Sequence, residues 1–340
     1  MKTHSTPYIS IPVTLLAVAV IALAAAMGAC SDKKAEGKPV VGQPVSVDRL
    51  DLVLAQYARA DSAGRARLLD DHRDALTALA QVWNGDGGAD AVATDSMVLA
   101  MAQSDAVRMF VPHTSAVFPD LDTFARAYGT ALARADSAGL QLPLRHYAAV
   151  VWGRPESIVF NGDYALIALN HYLGADHEVY AGWPEYMRSL KRPDMMAYDM
   201  LEAQLATAYP YDPGDGEPTL LSRMLYDGAL GYIKQHLVPG GDLGHALGFV
   251  TPGQVDDLAK NEQFMYSSLI ANKYLWSTDP TLIDAMLSPA PSVPQISPDA
   301  PGRAPRYTGW RIVDSYMRAH PDTKLTTLLS AQAPAMLMKK

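Results

Sequence analysis

Residues 144–170 read LRHYAAVVWGRPESIVFNGDYALIALN in one-letter code and differ in pattern from the rest of the chain. Tyr147 to Trp152 is rich in β-branched and aromatic residues, and Asn161-Gly162-Asp163 separates two further apolar runs. Asn and Gly tolerate the positive φ of a tight turn, so this arrangement predicts a β-hairpin. With the run that precedes the hairpin, the stretch predicts a small antiparallel sheet of about three strands.

Helical patterns dominate on both sides of this stretch. Upstream, apolar residues recur at spacings of three and four in stripes that begin at Leu50, Leu69 and Leu121. Thr251 and Gln254 have the spacing of a capping box. Downstream helices are predicted over 193–208, 219–235, 251–276, a shorter segment from 279, 310–319 and 323–330. We therefore predict an α+β fold over residues 47–340, a mostly helical single domain with a small antiparallel sheet.

The N-terminal segment predicts export and lipidation. A weakly positive start and an apolar run from Ile11 to Ala26 lead to small residues directly before Cys30, the one cysteine of the chain. The run of about 16 residues is shorter than the roughly 20 that a spanning helix needs. We predict a lipoprotein signal peptide at 1–29 and a lipid on Cys30 that anchors the chain in the membrane. The alternative is a secretory signal with a cysteine nearby by chance. Residues 30–46 are polar with Pro and Gly, which predicts a flexible tether.

Composition argues against nucleic-acid binding. The formal net charge is −8. Loss of residues 1–29 removes Lys2 and no acidic residue, so the mature charge is −8 − 1 = −9. A chain that binds nucleic acid needs a basic stripe to meet phosphates, and this chain has none in its sequence.

Motifs for catalysis are sparse. The chain carries no G-x-S-x-G elbow and no Gly-rich phosphate loop after a strand. His171 and His177 are six residues apart, which is not the i, i+4 spacing of two zinc ligands on one helix face. From the residues alone we expect no catalytic site, no metal and no cofactor. The rival reading is a hydrolase in which three acidic residues on successive predicted helices converge, with either histidine assisting: Glu202, Asp227 and Glu262.

From Leu169 onward the chain resembles the gliding-motility lipoprotein B (GldB) family of Bacteroidetes. The matching segments, in order, are Asn170-His171-Tyr172-Leu173-Gly174, Leu220 to Gly228, Gly248 to Thr251, Asn261-Glu262, Pro301-Gly302-Arg303 and Gly309 to Val313. The resemblance implies an envelope lipoprotein, periplasmic or at the outer membrane, linked in gliding bacteria to the motility machinery and its secretion system. It also implies that the partners are the membrane and other envelope proteins.

The same family resembles, more distantly, zinc peptidases with H-E-x-x-H on one helix and Glu-Gly on the next. Here the segment 193–208 contains no histidine, and Asp227-Gly228 stands in place of Glu-Gly. The resemblance thus implies a zincin-like remnant, a pseudo-peptidase scaffold without its catalytic metal. Such a scaffold acts by binding.

The candidate interaction surface follows from the matching segments. Its alternative is that these residues hold helices together, because Tyr and Trp are often half-buried in the core. A third possibility, suggested by the Trp and Tyr content, is a lipoprotein that binds a small molecule or glycan. The candidate residues are Tyr226, Asp227, Gly228, Asn261, Glu262, Trp310 and Arg311.

Overall fold

The structure is a computed structural model that describes residues 40–85, 91–249 and 251–338, apart from the side chain of Pro252. The predicted signal peptide, Cys30 and the first part of the predicted tether lie outside the described residues. The α+β class is confirmed, because helices account for most of the described residues and surround a small sheet.

The sheet has four strands in the order β1-β2-β4-β3. The predicted hairpin is confirmed: β3 and β4 are antiparallel, Asn161 pairs with Tyr164, and Gly162 between them has φ +53°. Glycine has no Cβ to clash at positive φ, which explains its place in this turn. The strands are β1 Val47–Arg49, β2 His146–Val150, β3 Ile158–Asn161 and β4 Tyr164–Ala168.

The prediction of an antiparallel sheet is wrong outside the hairpin, because β1–β2 and β2–β4 are parallel. Residues 151–157 connect β2 to β3, which is not its neighbour in the sheet, because the position between them is taken by β4. The return strand β4 then enters beside β2 in the same direction. β1 joins β2 through a long helical crossover, the kind of connection that parallel strands require. The Asn161-Gly162 turn therefore predicts the pairing of β3 with β4 but not the orientation of the other strands.

Helices cover both faces of the sheet. In β2, Tyr147 and Ala149 face one core, and Ala148 and Val150 face the other. Burial on both faces is typical of parallel strands. The helices before β2 are α1 Leu50–Tyr57, α2 Ser62–Asp71, α3 Arg73–Trp83, α4 Asp95–Ala102, α5 Asp105–Val117 and α6 Asp122–Ser137. The first core takes residues from α6 and from helices after the sheet, and the second takes residues from α1, α3, α4 and α5.

The chain after the sheet is helical, and none of the helices within the described ranges combines the length and apolarity of a membrane-crossing segment. A 3-10 turn, Pro193–Met195, leads directly into α8, as the predicted helix start at Pro193 implies. The helices are α7 Glu185–Arg188, α8 Met196–Ala208, α9 Leu220–Leu237, α10 Leu243–Leu247, α11 Pro252–Lys260, α12 Glu262–Ala271, α13 Pro280–Leu287, α14 Ala304–Ala319, α15 Leu325–Leu328 and α16 Ala333–Leu337.

The helix predicted over 251–276 begins as expected but is not continuous. The capping box is present, with the Thr251 amide donating to Gln254 Oε1 at 3.0 Å. The helix is interrupted at Asn261, whose side-chain amide donates to the Asp257 carbonyl at 2.9 Å. A side chain that bonds to the backbone in this way competes with helix continuation. The segment therefore forms two helices, α11 and α12, and a 3-10 turn at Tyr274–Trp276.

Residues 42–45, at the C-terminal end of the predicted tether, lie against α6. The Val45 amide donates to the Ala125 carbonyl of α6 at 3.1 Å. A Cβ added to Gly42 would overlap the Gly129 carbonyl oxygen, so the two backbones are in direct contact. Because these backbone contacts hold residues 42–45 against α6, the folded domain begins before Val47.

Two glycines let α9 and α14 pack backbone against backbone. A Cβ on Gly228 would overlap the Gly309 carbonyl carbon, and a Cβ on Gly309 would overlap the Met224 carbonyl oxygen. This helix pair lies between the first core and a third core, which α9 and α14 form with α11 to α13. The close approach brings charged residues of α9 and α14 within reach of α8.

Candidate functional site

A network of buried charges joins α8, α9 and α14. The Arg306 guanidinium donates through Nε to Asp227 Oδ2 at 3.0 Å and through Nη2 to Glu202 Oε1 at 3.2 Å. Lys234 Nζ donates to the second carboxylate oxygen of Glu202. The Lys234 and Asp227 side chains are 2% and 4% exposed, so these ions are largely removed from water. Two cations and two anions balance within the network.

Neighbouring charges favour the ionised forms of Glu202 and Arg306. Burial opposes ionisation of Glu202, but Lys234 and Arg306 outweigh it and hold the pKa of this carboxyl well below its usual range. Burial also acts against the Arg306 charge, whereas Asp227 and Glu202 raise the pKa of its guanidinium. Buried ion pairs persist when geometry and hydrogen bonds are favourable, as they are here. Breaking one partner would leave an uncompensated charge in the core.

A cleft of about 410 Å³ opens beside the network. Its walls combine apolar side chains with ionisable ones, which is the usual make-up of small-molecule pockets. The apolar residues are Ile158, Met187, Leu190, Met195, Ala203 and Pro289. The ionisable residues are Lys191, Asp199, Glu202, Lys234, His245 and Arg303.

Asp199 and Arg303 are the two cleft residues with unusual environments. The Tyr172 hydroxyl donates to Asp199 Oδ2 at 3.0 Å, and burial raises the pKa of Asp199 to about 6. Burial lowers the pKa of Arg303 to about 10. The Arg303 Nε atom is buried and has no hydrogen-bond partner among the described residues. Sequence reasoning assigned neither residue a role, although Arg303 lies in a segment that matches the family.

The three acidic residues of the rival hydrolase hypothesis do not converge as a set. Glu202 and Asp227 do come together, but the Arg306 guanidinium lies between them and binds both. Glu262 instead accepts a hydrogen bond from Arg311 Nε at 2.9 Å. Two of the three carboxylates therefore share one cation, and the third belongs to a separate ion pair.

His171 and His177, the two histidines of the hydrolase hypothesis, have different surroundings and share no contact partner among the described residues. His171 is buried in the turn after β4, with Nδ1 3.0 Å from Ser157 Oγ. His177 packs edge-on against His113, with ring centroids 4.8 Å apart. Across the described ranges, no group of three or more His, Cys, Asp or Glu side chains is placed to hold a metal ion.

Four of the seven candidate interaction residues pack between elements, three of them buried and Tyr226 partly buried. Tyr226 donates to the Tyr209 carbonyl at 2.7 Å, and Asp227 is bound to Arg306. Gly228 contacts α14, and Trp310 is 7% exposed. These contacts give all four a part in holding helices together.

The other three candidate residues lie at the surface. Asn261 is exposed, and the ion pair between Glu262 and Arg311 joins α12 to α14. Glu262 and Arg311 line a groove of about 790 Å³, together with Tyr266, Tyr316, His320 and Met338. The Thr308 hydroxyl oxygen also lines the groove and is buried with no hydrogen-bond partner in the described parts of the chain.

Comparison with known proteins places the chain in a family. The lipoprotein family model described as gliding motility protein GldB matches residues 31–340. No curated protein and no solved structure matches the chain. The family match covers the sheet, the charge network, the cleft and the groove. The chain therefore belongs to the gliding motility protein GldB family.

Proposed function

We propose that this chain is a lipid-anchored lipoprotein of the cell envelope that serves gliding motility by binding other envelope proteins rather than by turning over a substrate. The observation that carries the proposal is the Arg306 guanidinium bound between Asp227 and Glu202. The distant resemblance to zinc peptidases noted from the sequence implies that Asp227-Gly228 corresponds to the Glu-Gly pair of those enzymes. A guanidinium thus occupies the space between the two carboxylates of the peptidase-like helices.

The hydrogen bonds of Asp227 and Glu202 oppose a catalytic use of either carboxylate. A carboxylate is best suited to act as a general base or a metal ligand when no neighbouring cation already compensates its charge. Asp227 and Glu202 instead accept charge-assisted bonds from Arg306, and Glu202 also accepts one from Lys234. Freeing them requires breaking buried ion pairs, which costs about 3–5 kcal/mol. Their role in this proposal is to join three helices.

The groove between α12 and α14 is the proposed partner-binding surface. It presents Tyr266, Tyr316, Arg311 and Met338, which are residue types enriched at protein interfaces. The mixed apolar and charged lining favours a protein partner over a lipid surface.

Capture in cells tests the binding surface. Site-specific cross-linking of the full-length protein is compared between wild type, Glu262→Ala and Arg311→Ala, two candidate residues that line the groove. We expect both variants to lose partner cross-links while the melting temperature stays unchanged. Arg126→Ala is the control, because Arg126 forms a comparable exposed ion pair with Asp122 on α6, away from the groove. A lower melting temperature with capture intact would show that the two residues are structural and would reject the interface.

Metal analysis tests the non-catalytic part of the proposal. Elemental mass spectrometry of protein purified without chelator should find zinc, iron and manganese far below one atom per chain. About one metal per chain that is lost in Asp227→Ala or Glu202→Ala would overturn the proposal. It would instead identify a metallohydrolase with an unusual set of ligands.

A further inference from the structure

We propose that the cleft beside the charge network binds a small organic carboxylate with an apolar body, held by Arg303 and Lys191. This site is distinct from the groove between α12 and α14, and the proposal stands whether or not the groove binds a protein.

Arg303 is held in the cleft wall at a conformational cost. Its φ is +67°, a left-handed backbone conformation that is uncommon for a residue with a Cβ and costs about 1 kcal/mol or more. Its side chain makes one hydrogen bond within the described residues, from Nη1 to the Gly248 carbonyl at 3.4 Å. A Cβ on Gly248 would overlap Nη1, so glycine at 248 leaves the space that the guanidinium occupies.

Apart from the bond to Gly248, the hydrogen-bonding capacity of the Arg303 guanidinium is unused within the described residues. Its Nε atom is buried without a partner in the described residues, and no carboxylate lies within 4.0 Å of its guanidinium there. A buried guanidinium donor that lacks both water and an acceptor is costly, and native proteins rarely leave one so. Nη2 makes no hydrogen bond within the described residues either, and a carboxylate in the cleft can accept a charge-assisted bond from it.

The charges of the cleft favour an anion. Lys234 is paired with Glu202 within the buried network, and His245 bonds to Asp194 and Asp242. Lys191 lines the same cleft and, within the described residues, has no carboxylate within ion-pair distance. Asp199 is the one further carboxylate in the lining, and it accepts its hydrogen bond from Tyr172. Arg303 and Lys191 thus lack ion-pair partners within the described residues, whereas the charge of Glu202, the other carboxylate of the lining, is compensated by Lys234 and Arg306.

The walls and size of the cleft define the rest of the ligand. Ile158, Met187, Leu190 and Pro289 supply an apolar surface, and the volume of about 410 Å³ lies in the range of small-molecule sites. An aliphatic carboxylate satisfies both the guanidinium and this surface. The carboxylate can come from a free metabolite or from the C-terminus of a peptide, and the experiment separates these sources.

Calorimetric titration of the full-length protein in detergent tests the site. The probes are N-acetyl-leucine, its uncharged amide, a tripeptide ending in leucine with a free or amidated C-terminus, and inorganic phosphate. We expect saturable binding of the free carboxylates and none of the amides. Tighter binding of N-acetyl-leucine assigns the site to metabolites, and tighter binding of the tripeptide assigns it to peptide termini. Equal binding of acid and amide, or binding of phosphate alone, overturns the proposal.

Variants locate the binding within the cleft. Arg303→Gln and Lys191→Gln should each weaken carboxylate binding at least tenfold, and Asp199→Asn should tighten it by removing a competing charge. Arg318→Gln is the matched control, because Arg318 is 75% exposed and does not line the cleft. If Arg303→Gln fails to fold, Lys191→Gln carries the test. Unchanged affinity in a folded Arg303→Gln or Lys191→Gln variant would refute the assignment.

Discussion

At the scale of single residues, Arg306 is the side chain on which the buried charge network depends. It binds carboxylates from two different helices while lying on a third, and its side chain is 14% exposed. An ion pair of this kind need not stabilise the fold relative to an apolar replacement of the whole network. Removing one member is different, because the remaining charges stay buried without compensation.

Replacement of Arg306 by Met should therefore be strongly destabilising. Met keeps much of the side-chain length but leaves Asp227, 4% exposed, without its cation. We expect the free energy of unfolding in urea at pH 7 to fall by about 3–5 kcal/mol. Arg318→Met serves as control, since it removes an ion pair to Asp314 in which Arg318 is 75% exposed, and should change stability by about 1 kcal/mol or less. Equal effects of the two substitutions would contradict the role given to Arg306.

His171 should make the stability depend on pH. Burial, aided by Lys191, lowers the pKa of His171 to about 4 from an ordinary value near 6.5. The unfolded chain binds a proton as the pH falls below about 6.5, whereas the folded chain stays neutral until about pH 4. Above pH 6.5 His171 is neutral in both states and does not reduce stability. Between pH 6.5 and 4 its protonation in the unfolded chain lowers the free energy of unfolding by about 3 kcal/mol.

The His171→Gln variant isolates this titration. Urea unfolding of both proteins from pH 4 to pH 7 gives the difference in stability at each pH, and the titrations of other groups cancel in that difference. We expect the wild type to lose stability relative to the variant as the pH falls. A difference that stays constant over this range would show that His171 titrates alike in the folded and unfolded states.

At the scale of secondary-structure elements, the contact between α9 and α14 organises the C-terminal half. Gly228 and Gly309 bring the two backbones together. The side chains around them pack into the first core on one side and into the third core on the other. Because the glycines face a backbone rather than a flexible side chain, the contact cannot yield without separating the helices.

Gly309→Ala should consequently be among the most damaging small substitutions in this chain. The added methyl group would overlap the Met224 carbonyl, and we expect a loss of about 3 kcal/mol in the free energy of unfolding. Gly253→Ala is the matched control, because a Cβ at this position in the first turn of α11 meets no atom within 4 Å. Alanine there should leave stability unchanged or raise it by up to about 1 kcal/mol. Thermal or urea unfolding of both variants makes the comparison, and a tolerated Gly309→Ala would mean that the helices can separate cheaply.

At the scale of the whole molecule, membership of a lipoprotein family and the predicted modification of Cys30 make membrane attachment testable. Cys30→Ser should abolish metabolic labelling with palmitate and move the protein from the membrane fraction to the soluble fraction, because each buried CH₂ of a lipid contributes about 0.8 kcal/mol to anchoring. Ser31→Ala keeps the thiol and should retain the label. Continued labelling of Cys30→Ser would reject this residue as the lipidation site.

Local sequence patterns predicted those features that depend on contacts between near neighbours. The hairpin at Asn161-Gly162, the capping box at Thr251 and most helices needed only positive φ, a side-chain cap or a repeat of three to four residues. Family membership likewise followed from the order and spacing of short segments along the sequence and was confirmed by the match over residues 31–340. The orientation of the remaining strands did not follow, because no local pattern specifies which strand enters beside β2.

The sequence by itself determined the α+β class, the hairpin and the family. Only the tertiary structure decided that Glu202 and Asp227 share Arg306, that Glu262 does not join them, and that Arg303 faces a cleft. The physical reason is separation along the chain: Arg306 lies 79 residues from Asp227 and 104 from Glu202. Such pairs form when the packing of α8, α9 and α14 places them together, and no pattern of neighbouring residues records that packing.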